Sequence, residues 1–106
     1  DPDWRAYYTV NLLNLPHHYH NGGIWPFVGG MWVRFIHRLG FNEVACRELY
    51  RLAKVNQLGH DHEWEFNEWV HGATGRPMGK AYQAWSAACF IRACQEVEAD
   101  PAHAAD

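Results

Sequence analysis

The chain has 106 residues, and its 9 Lys and Arg against 12 Asp and Glu give a formal net charge of −3 at pH 7. This mildly acidic balance argues against a nucleic-acid-binding module, which is usually strongly basic. Hydrophobic residues make up 48% of the chain and charged residues 20%, which is typical of globular proteins and excludes a disordered chain. A chain of this length buries roughly two thirds of its unfolded surface, so we expect residues 1–106 to form a single domain.

The sequence contains no stretch of the roughly 18 apolar residues that a membrane helix requires, so we expect no contact with a membrane. The cysteines Cys46, Cys89 and Cys94 are odd in number and lack the spacing of a zinc or redox motif. We interpret them as buried thiols in a reducing compartment, and we therefore expect a cytoplasmic protein.

Residues 1–23 show no sustained periodicity, which predicts a loop with one short extended piece or turn of helix. From Phe27 onwards apolar residues recur at helical spacing and predict a first helix, with Pro26 in its first turn and Gly40 after its end. We expect the apolar stripe of this helix to face the core; it consists of Phe27, Val28, Met31, Trp32, Phe35, Ile36 and Leu39.

Asn42 is predicted to cap a second helix over residues 43–58, which ends at Gly59 and forms a helical hairpin with the first. Residues 60–79 lose the helical period and predict an irregular loop or a small β-hairpin. A third helix is predicted over residues 80–98, and residues 99–106 are predicted to be a flexible tail. The expected stripe of the third helix is Ala84, Ala87, Phe90, Ile91, Cys94 and Val97.

Three clusters of residues carry chemistry. The first, residues 60–69, places four carboxylates and two Trp on irregular backbone, the combination that glycoside hydrolysis requires, although an exposed acidic loop is the simpler alternative. The second, residues 16–26, contains three His and a Gly-Gly turn directly before the first helix. The third, residues 82–87, contains Gln83 and Trp85; Ser86 has no His and Asp arrangement around it and is a poor nucleophile candidate.

A metal site is the alternative interpretation of the histidines. It would be built from His17, His18, His20, His60 and His62. These residues lack the i, i+4 spacing of a zincin helix, and no cysteine accompanies them. We therefore expect mostly structural histidines, no bound metal and no other cofactor.

Taken in order, the three clusters resemble the C-terminal part of the six-hairpin, (α/α)6-barrel glycosidases, in particular the alkaline/neutral invertases and the amylo-α-1,6-glucosidase-like (glycogen-debranching) group. The matching motifs are YHNGGIWPF at residues 19–27, EFNEW at residues 65–69, TGRPMG at residues 74–79 and QAWSA at residues 83–87. The resemblance covers about residues 16–97. It implies an all-α fold of three main helices in antiparallel hairpins, a partial (α/α)6 toroid.

The resemblance also implies roles for individual residues. The Glu six residues before the Thr-Gly turn is the base that activates water in these families, which makes Glu68 the catalytic candidate and leaves Glu65 as its main rival. The motifs would place His20, Asn21, Trp25, Gln83 and Trp85 beside the sugar. Trp64 and Trp69 are further candidates because they lie close to Glu68 in sequence.

The general acid of the family is an Asp on an earlier hairpin, and this chain contains no counterpart of that segment. Inverting hydrolysis needs both an acid and a base. We therefore expect a C-terminal fragment of an inverting glycosidase for glucosides or sucrose, which carries the base half of the site and is inactive alone. The alternative is a non-catalytic helical carbohydrate-binding or interaction module. In either case we expect a carbohydrate ligand, no nucleic acid, and self-association as a homodimer through apolar helix faces.

Overall fold

The computed structural model describes residues 2–100 of the chain. A short 3-10 helix, Ala6–Leu12, precedes the helices α1 (Pro26–Arg38), α2 (Asn42–Gln57) and α3 (Ala84–Glu98). Between α2 and α3 lie two short strands, β1 (Trp69–Val70) and β2 (Pro77–Met78). The all-α prediction is therefore confirmed. Within residues 2–100, none of the helices has both the length and the apolar character that crossing a membrane would require.

Helix α1 lies against both α2 and α3, and at Gly30 its backbone lies close to that of α3. A Cβ at this position would lie 2.6 Å from the carbonyl oxygen of Cys89, so only glycine allows the two backbones to come this close. The face of α1 that contains Gly30, Val33 and Ile36 is consequently the buried one.

The expected stripe of α1 is therefore mostly wrong. Ile36 is buried and Phe27 is half-buried, but the other five side chains are between 47% and 57% exposed: Val28, Met31, Trp32, Phe35 and Leu39. Apolar residues cover a broad part of the surface of α1. The side of the helix that contains Gly30 is buried because it packs against α3, and most of the large apolar side chains lie on the other side.

Helix α2 begins one residue earlier than predicted, because Asn42 is its first residue and not its cap. The preceding residue, Phe41, occupies the cap position and makes no side-chain cap hydrogen bond. Gly40 follows α1 as predicted, with a φ of +89°. Ala45 and Leu52 of α2 pack in the core with Val33, Ile36, Ala93 and Val97.

Helix α3 begins at Ala84 rather than at Lys80, because backbone groups before Ala84 form hydrogen bonds with the loop that carries Glu65 and Glu68. The carbonyl oxygen of Lys80 accepts a hydrogen bond from the Glu68 N–H at 2.8 Å, and the N–H of Tyr82 donates to the Glu65 carbonyl at 2.7 Å. Of the stripe predicted for α3, Val97 is buried, whereas Ile91 is 52% exposed.

The small β-hairpin predicted within residues 60–79 is present, and Trp69 pairs with Met78 and Val70 with Pro77. Val70 also exchanges two backbone hydrogen bonds of 2.8 Å with Ile24, which ties the hairpin to the segment before α1. Of the predicted tail, Ala99 caps α3 and Asp100 contacts His37 at 2.8 Å, while residues 101–106 lie outside the described residues.

Glu96 on α3 joins the last helix to α1. One of its carboxylate oxygens lies 2.8 Å from Arg34 Nε, and the other is paired with Arg38. The hydrogen bonds from Arg38 and Arg34 outweigh the effect of burial and lower the pKa of Glu96 to about 2.

This ion pair should make stability depend on pH in the acid range. Because its pKa is lower in the folded than in the unfolded chain, Glu96 stabilises the fold above about pH 4.5 and loses this effect as the pH falls towards 2. We expect Glu96→Gln to lower the free energy of unfolding by roughly 1–2 kcal/mol at pH 7 and by much less at pH 2. Urea unfolding followed by circular dichroism at several pH values measures this difference.

Glu98→Gln is the matched control, because Glu98 is exposed on the same helix and has no ion pair within the described part of the chain. A loss in Glu96→Gln that is the same at every pH would contradict the assignment.

Candidate active-site cleft

Four of the residues predicted for the site line one cleft of about 380 Å³: His20, Trp25, Glu68 and Trp85. They come from separate parts of the chain, namely the loop before α1, the residue that caps α1, the segment before β1 and the first turn of α3. Tyr19, Phe27 and Val28 complete the lining. The fold therefore brings three distant sequence motifs together around one concave surface.

Aromatic rings form the walls of this cleft. The His20 ring stacks on Trp25 with ring centroids 5.1 Å apart and an angle of 10° between the planes. Phe27 stacks on Trp85 at 5.1 Å and 20°. The indole N–H of Trp25 donates a hydrogen bond of 3.0 Å to the Tyr19 carbonyl oxygen, which fixes the orientation of its ring. Flat, oriented apolar surfaces of this kind suit the face of a sugar ring.

Glu68 is the single carboxylate among the described residues that line the cleft. It is half-buried, and its Oε2 atom accepts a hydrogen bond of 3.3 Å from the backbone N–H of Lys80. The bond between the Glu68 N–H and the Lys80 carbonyl holds the backbone on the same side. The carboxylate is thus positioned at the wall of the cleft with its second oxygen available to a ligand or a water molecule.

Gly79 makes room for this carboxylate. Its φ is +70°, and a Cβ there would lie 2.7 Å from Glu68 Oε2 and 2.6 Å from the indole of Trp69. Both the backbone conformation and the close approach therefore require glycine.

Glu65, the rival candidate for the base, has a different environment. Its side chain is only 1% exposed, and it accepts hydrogen bonds of 2.7 to 2.8 Å from the backbone N–H groups of His60, Asp61 and His62. Burial raises the pKa of Glu65, but the hydrogen bonds from these three N–H groups and from the Asn67 side chain together outweigh burial and lower it. Glu65 lies outside the lining of the cleft and organises the loop at residues 60–62.

The other predicted sugar-binding residues lie outside the lining of the cleft. Asn21 lines a neighbouring cavity, and Gln83 caps α3. Trp64 is 41% exposed and packs near Phe66 and Phe90, whereas Trp69 is 3% exposed in β1. Sequence reasoning did not select Phe27 and Tyr19, although both belong to the same YHNGGIWPF motif as His20 and Trp25.

Two histidines of the second cluster, His17 and His18, pack against the residue that follows β1, His71. The rings of His18 and His71 are 4.7 Å apart, and His17 lies 5.7 Å from His71. His71 Nδ1 accepts hydrogen bonds from the N–H groups of Ala73 and Thr74. Burial and the neighbouring charges of His18, His17 and Arg76 lower the pKa of His71. Within residues 2–100, no group of three metal-binding side chains is arranged to hold a metal ion.

The family model of the alkaline and neutral invertases matches residues 1–101. The chain belongs to the alkaline and neutral invertase family. This result confirms the resemblance found in the sequence motifs.

Two plant invertases are similar to this family member. "Alkaline/neutral invertase C, mitochondrial" of Arabidopsis thaliana is 29% identical over 99 residues, which are 91% of this chain and 14% of that protein. "Neutral/alkaline invertase 1, mitochondrial" of Oryza sativa subsp. japonica is 30% identical over 92 residues, which are 84% of this chain and 14% of that protein. The chain thus spans about one seventh of the length of these relatives. No solved structure gives a significant match.

The steric role of Gly79 can be tested with a matched pair of substitutions. Gly75 has a similar φ of +74° but has no atom within 4 Å of its ideal Cβ position. Gly75→Ala should cost about 1 kcal/mol from backbone strain alone. Gly79→Ala should cost about 2–4 kcal/mol, because it adds the displacement of Glu68 and Trp69. Urea unfolding measures both values, and equal losses would contradict the steric role of Gly79.

Proposed function

We propose that this chain binds a glucoside or sucrose-type sugar in the cleft and supplies the general base of an inverting glycoside hydrolase, with Glu68 in that role. The observation that carries the proposal is the position of the Glu68 carboxylate in the same cleft as Trp25 and Trp85. The two plant relatives are named as invertases, which favours sucrose as the substrate.

In this mechanism the ionised Glu68 accepts a proton from a water molecule. The oxygen of that water bonds to the anomeric carbon from the side opposite to the leaving group, and the glycosidic bond breaks with inversion. Trp25 and Trp85 hold the sugar ring by stacking, and His20 can donate a hydrogen bond to a hydroxyl. Asn21, Gln83, Trp64 and Trp69 lie outside the lining of the cleft, so we assign none of them a contact with the sugar ring in the cleft.

The leaving oxygen must receive a proton from a general acid. Inverting enzymes place the acid carboxyl about 6.5–9.5 Å from the base. Because Glu68 is the single carboxylate among the described lining residues, we propose that the acid comes from outside the described part of the chain. It follows that this chain alone should not hydrolyse sucrose.

We also propose that the chain functions in a reducing compartment, which from the sequence we expect to be the cytoplasm. Within the described residues, Cys46, Cys89 and Cys94 form no disulfide bond. Burial raises the pKa of Cys46 and of Cys94, which makes these thiols less reactive. The names of both plant relatives place those proteins in mitochondria.

A second candidate function is that of a non-catalytic, self-associating sugar-binding or interaction module. It is favoured by the exposed face of α1, defined by Val28, Met31, Trp32, Phe35 and Leu39. These five side chains expose roughly 500 Å² together, in the upper part of the roughly 300–600 Å² range of the largest apolar patch on a monomer, which is often functional. A standard interface buries about 800 Å² on each partner, so this face could form the apolar centre of a homodimer.

Hydrolysis of α-glucosyl fluoride tests the role of Glu68. Fluoride leaves without needing a proton, so a site that has a base but no acid can still hydrolyse this substrate, and the products are β-glucose and fluoride. We expect slow fluoride release by the wild-type chain and a decrease of about 100-fold or more in Glu68→Gln. A fluoride electrode measures the rate, and NMR identifies the anomer that forms first.

Glu63→Gln is the matched control, because Glu63 is an exposed carboxylate in the segment that leads to Glu68. Undiminished fluoride release in Glu68→Gln would contradict the assignment of the base. Sugar binding in calorimetry without any fluoride release would favour the non-catalytic module.

The exposed face of α1 predicts a dimer. Light scattering coupled to size-exclusion chromatography should give about twice the mass of the chain, and Phe35→Glu should shift it to the monomer because a charge would be buried in the interface. Tyr50→Glu, an exposed aromatic on α2 at 63% exposure, should leave the mass unchanged. A wild-type chain that elutes as a monodisperse monomer would exclude self-association through this face.

A further inference from the structure

A second cavity adjoins the cleft. It has a volume of about 450 Å³ and is lined by Asp3, Trp4, Tyr8, Asn14, His20 and Asn21. His20 lines both cavities, so a ligand that occupies one of them reaches the other by passing this ring. The volumes of both cavities lie within the range of small-molecule binding sites.

Aromatic side chains form one wall of this second cavity. The rings of Trp4 and Tyr8 pack edge to face at 5.2 Å, and both side chains are 37% exposed. No residue of the 3-10 helix that contains Tyr8 is buried. These aromatic rings therefore do not serve the hydrophobic core, and their exposed faces border a concave surface instead.

Asparagine side chains connect this wall to the loop that carries His20. Asn14 Nδ2 donates a hydrogen bond of 2.8 Å to the Tyr8 carbonyl oxygen, while Asn14 Oδ1 accepts one of 3.1 Å from the His20 N–H. Asn21 Nδ2 donates to the Asn14 carbonyl oxygen at 3.2 Å. This network holds the aromatic wall at a defined position relative to the cleft.

The lining groups indicate the class of ligand. Asp3 supplies a carboxylate and Asn21 an amide, and both are common partners of sugar hydroxyls. No Lys or Arg lines the cavity within the described residues, and the carboxylate of Asp3 repels anions, which disfavours phosphorylated ligands. A neutral polyol with an apolar ring face fits this combination.

We propose that this cavity binds the second ring of a disaccharide whose first ring occupies the cleft, with Trp4 as the stacking surface. The inference rests on the proposed function, because it requires a sugar in the cleft. It adds a specificity determinant at the N-terminal end of the chain, far in sequence from Glu68. Monosaccharides contact only the cleft, whereas disaccharides contact both cavities.

The experiment uses the chain labelled with 5-fluorotryptophan, which gives one ¹⁹F NMR signal for each of its six Trp residues. The signals are assigned by single Trp→Phe substitutions. Titration with glucose should shift the signals of Trp25 and Trp85, and titration with sucrose should shift Trp4 in addition. Trp32 is 47% exposed on α1 and lines neither cavity, so its signal should not move with either sugar.

Calorimetry on variants gives the energetic counterpart. We expect Trp4→Ala to weaken sucrose binding by about 10-fold and to leave glucose binding within about 2-fold. Trp85→Ala should weaken both sugars, and the control Trp32→Ala should weaken neither.

Each other outcome has a defined meaning. If Trp4→Ala leaves sucrose affinity unchanged while Trp85→Ala lowers it, the second-ring site is overturned and the proposed function stands. If Trp4→Ala weakens glucose and sucrose equally, Trp4 only supports the cleft and the inference is also overturned. If neither sugar shifts any Trp signal of the wild-type chain, sugar binding fails as a whole, and both proposals are overturned.

Discussion

The buried carboxylate of Glu65 organises the irregular segment on which the cleft depends. Three backbone N–H groups at residues 60–62 converge on this side chain, and its pKa is lowered although it is almost fully buried. Trp64 and Phe66, on either side of it, have φ values of 61° and 53°, which are costly for residues other than glycine. The hydrogen bonds to Glu65 compensate for this strain and hold the segment that leads to Glu68.

The same segment also determines where α3 begins. The Tyr82 and Gln83 N–H groups donate to the carbonyl oxygens of Glu65 and Phe66, so these two residues are held by the loop and lie outside the helix. This arrangement delays the start of the helix and places Trp85 in its first turn, beside Phe27 of α1. A structural carboxylate and a proposed catalytic one are thus three residues apart, and their different environments follow from which one is surrounded by backbone N–H groups.

Two features of the structure bear on the proposed function: the cleft has a single carboxylate among its described lining residues, and α1 has an exposed apolar face. The cleft of this three-helix fold is lined by the loop before α1, the first turns of α1 and α3 and the segment before β1. It has the proposed base at one wall and, within the described residues, no second carboxylate to act as the acid. The same three helices leave five large apolar side chains of α1 half exposed. An acid from another segment and a dimer through α1, both proposed above, would each complete one of these features.

The sequence by itself determined the number and order of the three main helices and the family, because helical periodicity, turn residues and ordered motifs are local properties of the chain. Between the second and third helices it left open an irregular loop or a small hairpin. It also led to Glu68, His20, Trp25 and Trp85, since each lies within a motif. Only the tertiary structure decided which side of α1 is buried, because that depends on the contact of Gly30 with the backbone of α3. The tertiary structure likewise distinguished the environments of Glu65 and Glu68, two carboxylates in one short motif. Glu65 accepts hydrogen bonds from backbone N–H groups and is buried, whereas Glu68 lines the cleft, and the residue pattern of the motif does not indicate this difference.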